Sequence, residues 1–393
     1  MWRAQLRRRL VMALFFGGVA AGVELLSRAG LSMLERRGVE YRPILVDELS
    51  VAHSQALADL LAGRPSLFQH DAVLGWSLRP GFRSSLCTID ADGLRRDRER
   101  PPPVAPAVEV ATYGDSFTFG GDVADRDAYP EALARQEPRI AVANYGVPAY
   151  GLDQAFLRYQ RDGRGSHPQV VVIGFMSENI RRNVSVFRPF YQPVSLLPLA
   201  KPRYVPGEHE PYLLANPLPR LDDYRQLLAH PAETLSRLGQ HDFFYRTRPR
   251  AGSFDSSAAV RLVKLASEQL GPGRASRFYA ADSEAFRVTT ELFTAFYELA
   301  LRDGAQPVIV IFPERGDLAI WRSAGIKRYA PLLRFFAGKG YRVVDAMAAL
   351  DAAGRDRPIA DLVPSHYSPL ANQLVAEQLL YQLRALGLVP KMR

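Results

Sequence analysis

Four positions that could carry chemistry stand where predicted strands end or helices begin: Ser116, Gly146, residues 177–179 and His366. A serine hydroxyl can attack a carbonyl carbon when a base accepts its proton and N–H donors stabilise the resulting oxyanion. Ser116 supplies the hydroxyl and His366 the base. The backbone N–H groups of Ser116 and Gly146, with the side-chain amide of Asn179, are candidate oxyanion donors. These residue types predict acyl transfer through a serine.

Ser116 comes directly after an apolar segment, Val108 to Tyr113, that favours a β-strand, and Gly114 and Gly120 bound the turn around the serine. A residue at the carboxyl end of a parallel strand lies at the edge where open α/β sheets bind ligands. Gly-Asp-Ser is also ordinary turn chemistry, so a catalytic interpretation of Ser116 depends on the residues further along the chain.

Downstream of this strand, apolar runs alternate with helical patterns. Further strands are predicted at residues 140–145, 169–175, 307–312 and 341–344, and helices at 129–135, 152–161, 283–302, 327–337 and 369–386. Such alternation predicts a mostly parallel, doubly wound α/β sheet. Residues 184–281 have no clean period and are too many for a loop inside a compact domain, so we expect an insertion beside the site.

The composition limits the partners that we expect. The 393 residues are 47% hydrophobic and 23% charged, as in a large globular protein. The net charge is +9, but the arginines are scattered and no nucleic-acid-binding module accompanies them, so we expect no nucleic-acid partner. Cys87 is the only cysteine, which excludes an intrachain disulfide. No histidines have metal-ligand spacing and no phosphate-binding loop occurs, so no metal or cofactor is expected.

The N-terminus has the pattern of a membrane-targeting segment. Four arginines within residues 3–9 precede an uncharged run from Leu10 to Val23, which is extended past Glu24 to Leu26. The run is not succeeded by an A-x-A cleavage site, so we predict a retained signal anchor over residues 1–29. The positive-inside rule then keeps the arginines in the cytoplasm and places everything after residue 30 outside.

The sequence resembles the SGNH/GDSL-type hydrolases, in four blocks that occur in order: GDSFTFG at 114–120, NYGVPAYG at 144–151, GFMSENIRRN at 174–183 and HYSPLAN at 366–372. LGW at 74–76 and DGLR at 92–95 resemble a lead-in of membrane-anchored bacterial members. Residues 108–180 and 305–385 carry the resemblance. It implies a three-layer α/β/α, flavodoxin-like fold and hydrolysis of acyl esters, often acetyl groups on carbohydrates.

Two positions depart from the pattern of that family. Its third block usually contains Gly-x-Asn-Asp, so Asn179 is the oxyanion candidate and Asn183 the alternative. The family usually has an aspartate three residues before the histidine, where this chain has Val363. Asp361, five residues before His366, is therefore the candidate for orienting the imidazole. Without such a group, the pair would be a Ser–His dyad.

These observations predict a signal anchor (1–29), a lead-in with a proline-rich linker (30–106) and a hydrolase-like domain (107–393) with the insertion 184–281. The expected protein is a serine esterase in a bacterial inner membrane, with its catalytic domain on the periplasmic side. Its expected substrate is an O-acyl ester of a small molecule or of an envelope or exported glycan, and acetyl is the favoured acyl group. We expect the RPFY segment at 188–191 either to line the substrate pocket or to pack within the insertion.

Two other functions remain open. An O-acyltransferase would form the same acyl-enzyme and pass the acyl group to a sugar hydroxyl. A non-catalytic glycan-binding or assembly subunit would keep the fold with a degraded site, and Val363 favours this alternative. The retention of Ser116, Gly146 and His366 together argues against it. The sequence does not identify substrate-binding residues or protein partners.

Overall fold

The computed structural model of the protein describes residues 2–36, 39–101, 103, 105–207, 211–270, 275–355 and 357–389. Two residues of the predicted proline-rich linker, 102 and 104, lie outside this described part. Its strands are β1 (Phe68–Asp71), β2 (Gly75–Leu78), β3 (Val108–Tyr113), β4 (Ile140–Asn144), β5 (Val170–Met176), β6 (Arg203–Val205), β7 (Tyr212–Leu214), β8 (Gln306–Phe312) and β9 (Val343–Asp345).

The described helices connect these strands and continue to the C-terminal region. They are α1 (Trp2–Arg36), α2 (Val51–Leu61), α3 (Ser116–Phe119), α4 (Tyr129–Gln136), α5 (Leu152–Arg158), α6 (Asn179–Arg182), α7 (Arg188–Tyr191), α8 (Leu221–Ala229), α9 (Pro231–Gly239), α10 (Phe243–Thr247), α11 (Ala258–Leu270), α12 (Glu284–Arg302), α13 (Arg315–Ala324), α14 (Ala330–Lys339), α15 (Met347–Ala353), α16 (Ile359–Leu362) and α17 (Pro369–Ala385). The predicted helix 152–161 loses α geometry after Arg158 and continues as a π turn, Tyr159–Gly163.

The central sheet has the strand order β4-β3-β5-β8-β9, and all its neighbouring strands are parallel. Numbered along the chain within the sheet, this is the 2-1-3-4-5 order of flavodoxin-like folds. Each of the five predicted strands is therefore present. Every residue of β5 is buried, which explains its continuous apolar sequence, because helices cover both faces of such a sheet. The expected three-layer α/β/α architecture is confirmed.

The predicted insertion contains the β6–β7 hairpin and helices α7 to α11. Its fold depends on contacts distant in sequence. The buried Asp242 carboxylate accepts hydrogen bonds from the Val186 N–H at 2.7 Å and the Ser185 hydroxyl at 2.8 Å, and it also caps α10 through the Phe244 N–H at 2.8 Å. Such tertiary contacts leave no periodic signal in the sequence, which is why this region lacked one.

Helix α1 is long and apolar enough to cross a membrane by length and composition. Its apolar side chains between Leu10 and Leu26 are largely exposed. The later part of the helix packs on the folded body, where Leu31 contacts α11 through Ala258 and Leu265. The exposed apolar surface and the docked end therefore lie on one continuous helix.

Candidate active site

Ser116 opens the short helix α3, two residues after Gly114, at the carboxyl end of β3. A Cβ at Gly114 would lie 2.3 Å from the Thr118 hydroxyl oxygen and 2.8 Å from the Gly174 carbonyl oxygen, so only glycine fits in this turn. Asp115 caps α3 by accepting the Phe117 N–H at 2.9 Å. The turn thus fixes Ser116 at the edge of the sheet.

Ser116 lines a cavity of about 750 Å³ together with His366. The cavity lies where β3 and β5 end, and at this point the strand order of the sheet reverses, which is where open α/β folds bind ligands. Side chains from the lead-in, between residues 67 and 87, and from the insertion, between 188 and 197, also line it. Both additions to the sheet domain therefore help to shape the site.

The structure corrects the predicted partner of His366. Its Nδ1 lies 2.7 Å from the Asp122 Oδ2, and the Ser365 hydroxyl donates to the same oxygen. Asp361 is exposed in α16 and makes no hydrogen bond to His366 in the described structure. The physical reason is that Asp361 is exposed on the short helix α16, whereas the turn after α3 places Gly121 and Asp122 directly beside the imidazole.

Partial burial raises the pKa of the Asp122 carboxyl, but hydrogen bonds from His366 and then Ser365 outweigh it, so this pKa lies below its ordinary value. Asp122 therefore stays a carboxylate that holds Nδ1. The other imidazole nitrogen, Nε2, is left to accept a proton. The described residues contain no direct hydrogen bond between Ser116 and His366, and such catalytic contacts often tighten only when substrate is bound.

The turn that carries Asp122 is held from the lead-in by Arg95. Its buried guanidinium donates to the Phe119 carbonyl at 2.8 Å, the Val123 carbonyl at 2.7 Å and the Asp125 carboxylate at 2.7 Å. Asp122 has a φ of 67°, a left-handed conformation that is uncommon outside glycine. The Arg95 clamp maintains this conformation and gives the DGLR segment a structural role.

Of the two predicted backbone donors to an oxyanion, the structure leaves only one free. The Ser116 N–H has no acceptor within the described residues. The Gly146 N–H, in contrast, donates to the Asn144 side-chain oxygen at 2.9 Å. A Cβ at Gly146 would lie 2.4 Å from the Phe119 nitrogen, so this glycine serves close packing against α3 instead.

Ala149 is a second candidate donor that the sequence did not suggest. It lines the cavity, and its N–H has no hydrogen-bond acceptor in the described part of the chain. Its φ of 73° is uncommon for alanine. Residues held in such conformations cluster at functional sites.

Asn179 and its alternative Asn183 are not among the residues that line the cavity. The Asn179 side chain is buried at the start of α6, whereas Glu178 and Arg182 line the cavity at this edge. Asn183 accepts the Leu152 N–H at 3.0 Å and donates to Thr289 at 2.8 Å, so both ends of its amide are used in packing α6. Asn183 is therefore not free to donate to an oxyanion, whereas the side-chain NH2 of Asn179 makes no hydrogen bond within the described residues and stays a candidate donor.

Gly121 keeps room for the imidazole, which gives a testable prediction. A Cβ at this position would lie 3.0 Å from the His366 Cγ and 3.1 Å from Nδ1. We expect Gly121→Ala to displace the ring from Asp122 and to lower kcat for an ester substrate by about 10- to 100-fold. The matched control is Gly338→Ala in α14, where a Cβ would have no neighbour within 4 Å. Wild-type kcat in folded Gly121→Ala would contradict this geometry.

The similarity of this chain to known proteins is structural. No family model matches the chain, and no curated protein matches it. Among solved structures it is similar to LAE5, an α/β hydrolase from the metagenome of Lake Arreo, Spain, at 14% identity over 73% of this chain and 98% of that chain, with a TM-score of 0.38.

Two further solved structures illustrate the same level of similarity. A member of the lipolytic protein G-D-S-L family from Veillonella parvula is 11% identical over 70% of this chain and 96% of that chain, with a TM-score of 0.32. The acetylxylan esterase Axe2 from Geobacillus stearothermophilus is 12% identical over 72% and 96%, with a TM-score of 0.36. At these identities and TM-scores, neither family membership nor activity carries over to this chain.

Proposed function

We propose that this protein is a serine ester hydrolase of the SGNH/GDSL type. One observation carries the proposal: His366, held through Nδ1 by Asp122 at 2.7 Å, lines the same cavity as Ser116. A hydroxyl, an imidazole and a carboxylate are the three groups that serine acyl transfer needs. The pairing also weakens the alternative of a degraded binding subunit, because Asp122 replaces the orienting group that is missing at Val363.

In the proposed mechanism, the Ser116 hydroxyl oxygen bonds to the ester carbonyl carbon while His366 Nε2 accepts the hydroxyl proton. The Ser116 and Ala149 N–H groups stabilise the oxyanion. Collapse breaks the bond to the alcohol, which leaves with the proton from His366. Water then attacks the acyl-enzyme with His366 as base, releasing the acid and restoring Ser116. Asp122 keeps the imidazole in the required tautomer throughout.

The proposed substrate is an O-acyl ester on an envelope or exported glycan, with acetyl as the favoured acyl group. The size of the cavity, about 750 Å³, supports a substrate larger than a simple acetyl ester, since drug-sized ligands occupy cavities of this range. The exposed apolar surface of α1 and the arginines before it support a single-pass anchor in a bacterial inner membrane. The catalytic domain would then face the periplasm.

The test is hydrolysis of p-nitrophenyl acetate and of an O-acetylated glycan by the full chain in detergent, with His366→Ala as the comparison. We expect acetate release by wild type and a severe loss in folded His366→Ala. Added deacetylated glycan separates the two enzymatic functions, because a transferase would form acetylated glycan at the expense of free acetate. Absence of turnover on every ester would contradict the proposal and favour the binding subunit.

A further inference from the structure

Arg188 presents a guanidinium to the cavity that holds Ser116. It stands at the start of α7, in the insertion, and is half-buried. Its Nε donates to the Ser195 hydroxyl at 2.9 Å, Nη2 to the Gln192 side-chain oxygen at 2.7 Å, and Nη1 to the Ala149 carbonyl at 3.5 Å. Three of the five N–H groups of an arginine are thereby used, which leaves one N–H on each terminal nitrogen.

In the described part of the chain, Arg188 has no direct ion-pair partner, although the more distant charges of Glu178 and Asp115 act on it. Within the described residues, no carboxylate lies at ion-pair distance from it, and all three of its hydrogen-bond acceptors are neutral. The three carboxylates that line the cavity already have partners: Glu178 pairs with Arg182 and Glu314 with Arg328, whereas Asp122 holds the His366 Nδ1.

The neighbouring Arg182 differs in this respect. Its guanidinium pairs with Glu178 at 3.1 Å and contacts the buried Asp115 carboxylate at 3.4 Å. Burial, and then the charge of Arg182, lower the pKa of Arg188 to about 9. A cation that is partly removed from water beside another cation is stabilised when an anion binds to it.

We propose that Arg188 is a binding site for a carboxylate carried by the ester substrate. The two remaining N–H groups, one on each terminal nitrogen, match the two oxygens of a carboxylate. Arg188 also reaches the carbonyl of Ala149, the residue whose N–H is a candidate oxyanion donor, so the bound carboxylate lies near the reacting ester. This inference rests on the proposed function and deepens it: the substrate is an ester of an acidic compound, such as a uronate-containing glycan.

Two pairs of esters test the proposal with the full chain in detergent, and they distinguish where the carboxylate lies. 4-Acetoxybenzoate against its methyl ester places the charge on the alcohol part. p-Nitrophenyl hemisuccinate against p-nitrophenyl butyrate places it on the acyl part. The measured quantity is the ratio of kcat/KM for the anionic ester to kcat/KM for the neutral ester. We expect wild type to favour the anionic member of one pair.

Arg188→Gln is expected to lower that ratio by about tenfold or more, because it removes a charge-assisted, two-point contact. Arg188→Lys keeps the charge without the planar fork and is expected to give an intermediate ratio. Arg225→Gln, at an exposed arginine of α8, is the matched surface control. The Lys variant also keeps the test decisive if the Gln variant fails to fold.

An unchanged ratio in both Arg188 variants, or a wild type that prefers neither anionic ester, would overturn the inference. Either result, combined with loss of neutral-ester hydrolysis in Ser116→Ala, would leave the proposed esterase in place. Activity that survives Ser116→Ala would instead contradict the proposed function itself. The failures of the two proposals are therefore distinguishable in one set of measurements.

Discussion

Ser116→Ala is expected to lower kcat/KM for p-nitrophenyl acetate by at least about a thousandfold, because loss of the proposed nucleophile removes the acyl-enzyme route altogether. Ser116 is buried at the cavity, and the removed hydroxyl oxygen has no hydrogen-bond partner among the described residues, so the variant should remain folded. The measurement is steady-state hydrolysis by the full chain in detergent, beside a thermal melt of each variant.

The matched control is Ser323→Ala, an exposed serine on α13, whose kcat/KM is expected to stay at the wild-type value. Retention of more than about a tenth of the activity in Ser116→Ala would exclude this serine as the nucleophile. The turnover would then come from another nucleophilic hydroxyl or from non-specific hydrolysis of the activated ester by surface side chains.

Asp122→Asn is expected to lower kcat by about a hundred- to a thousandfold, because the amide no longer holds Nδ1–H in the tautomer that leaves Nε2 as a base. We place the effect below that of a fully buried triad aspartate because the Asp122 side chain is 54% exposed and water can reach it. The readout is kcat at saturating ester.

Asp361→Asn is the matched control for this prediction, since both changes remove one carboxylate near the C-terminal loop. We expect its kcat to remain within about twofold of wild type, as for a surface substitution without partners. The opposite result, with Asp361→Asn inactive and Asp122→Asn active, would restore the orienting role predicted from the sequence.

The sheet and the positions of Ser116 and His366 can be predicted from local sequence patterns. Buried parallel strands such as β5 and β8 are continuous apolar runs, and helices such as α12 have an apolar face, so both can be recognised without tertiary information. The alternation of these elements then predicts the doubly wound fold.

The partner of His366 could not be predicted in the same way, because a hydrogen bond between loops depends on tertiary placement. Asp122 lies in a glycine-bounded turn close to Ser116 in sequence, and Arg95 of the lead-in maintains its unusual backbone conformation. Proximity along the chain favoured Asp361, whereas the fold brings the turn after α3 to the imidazole.

The role of Gly146 left a signal that could have been recognised. Asparagine side chains often bond to the backbone two residues later, and Asn144 does so with the Gly146 N–H. That local contact removes Gly146 as an oxyanion donor. Ala149 left no such signal, because its φ of 73° is imposed by the fold and is not favoured by alanine itself.

The most direct test of the central claim is covalent labelling of the full chain with a fluorophosphonate, combined with peptide mapping by mass spectrometry. Fluorophosphonates react with a serine that is activated by a base, which is the chemistry assigned to Ser116 and His366. We predict a single phosphonylated residue, Ser116, with labelling strongly slowed in folded His366→Ala and Asp122→Asn. No adduct on folded wild type, or an adduct on a different residue, would contradict this account.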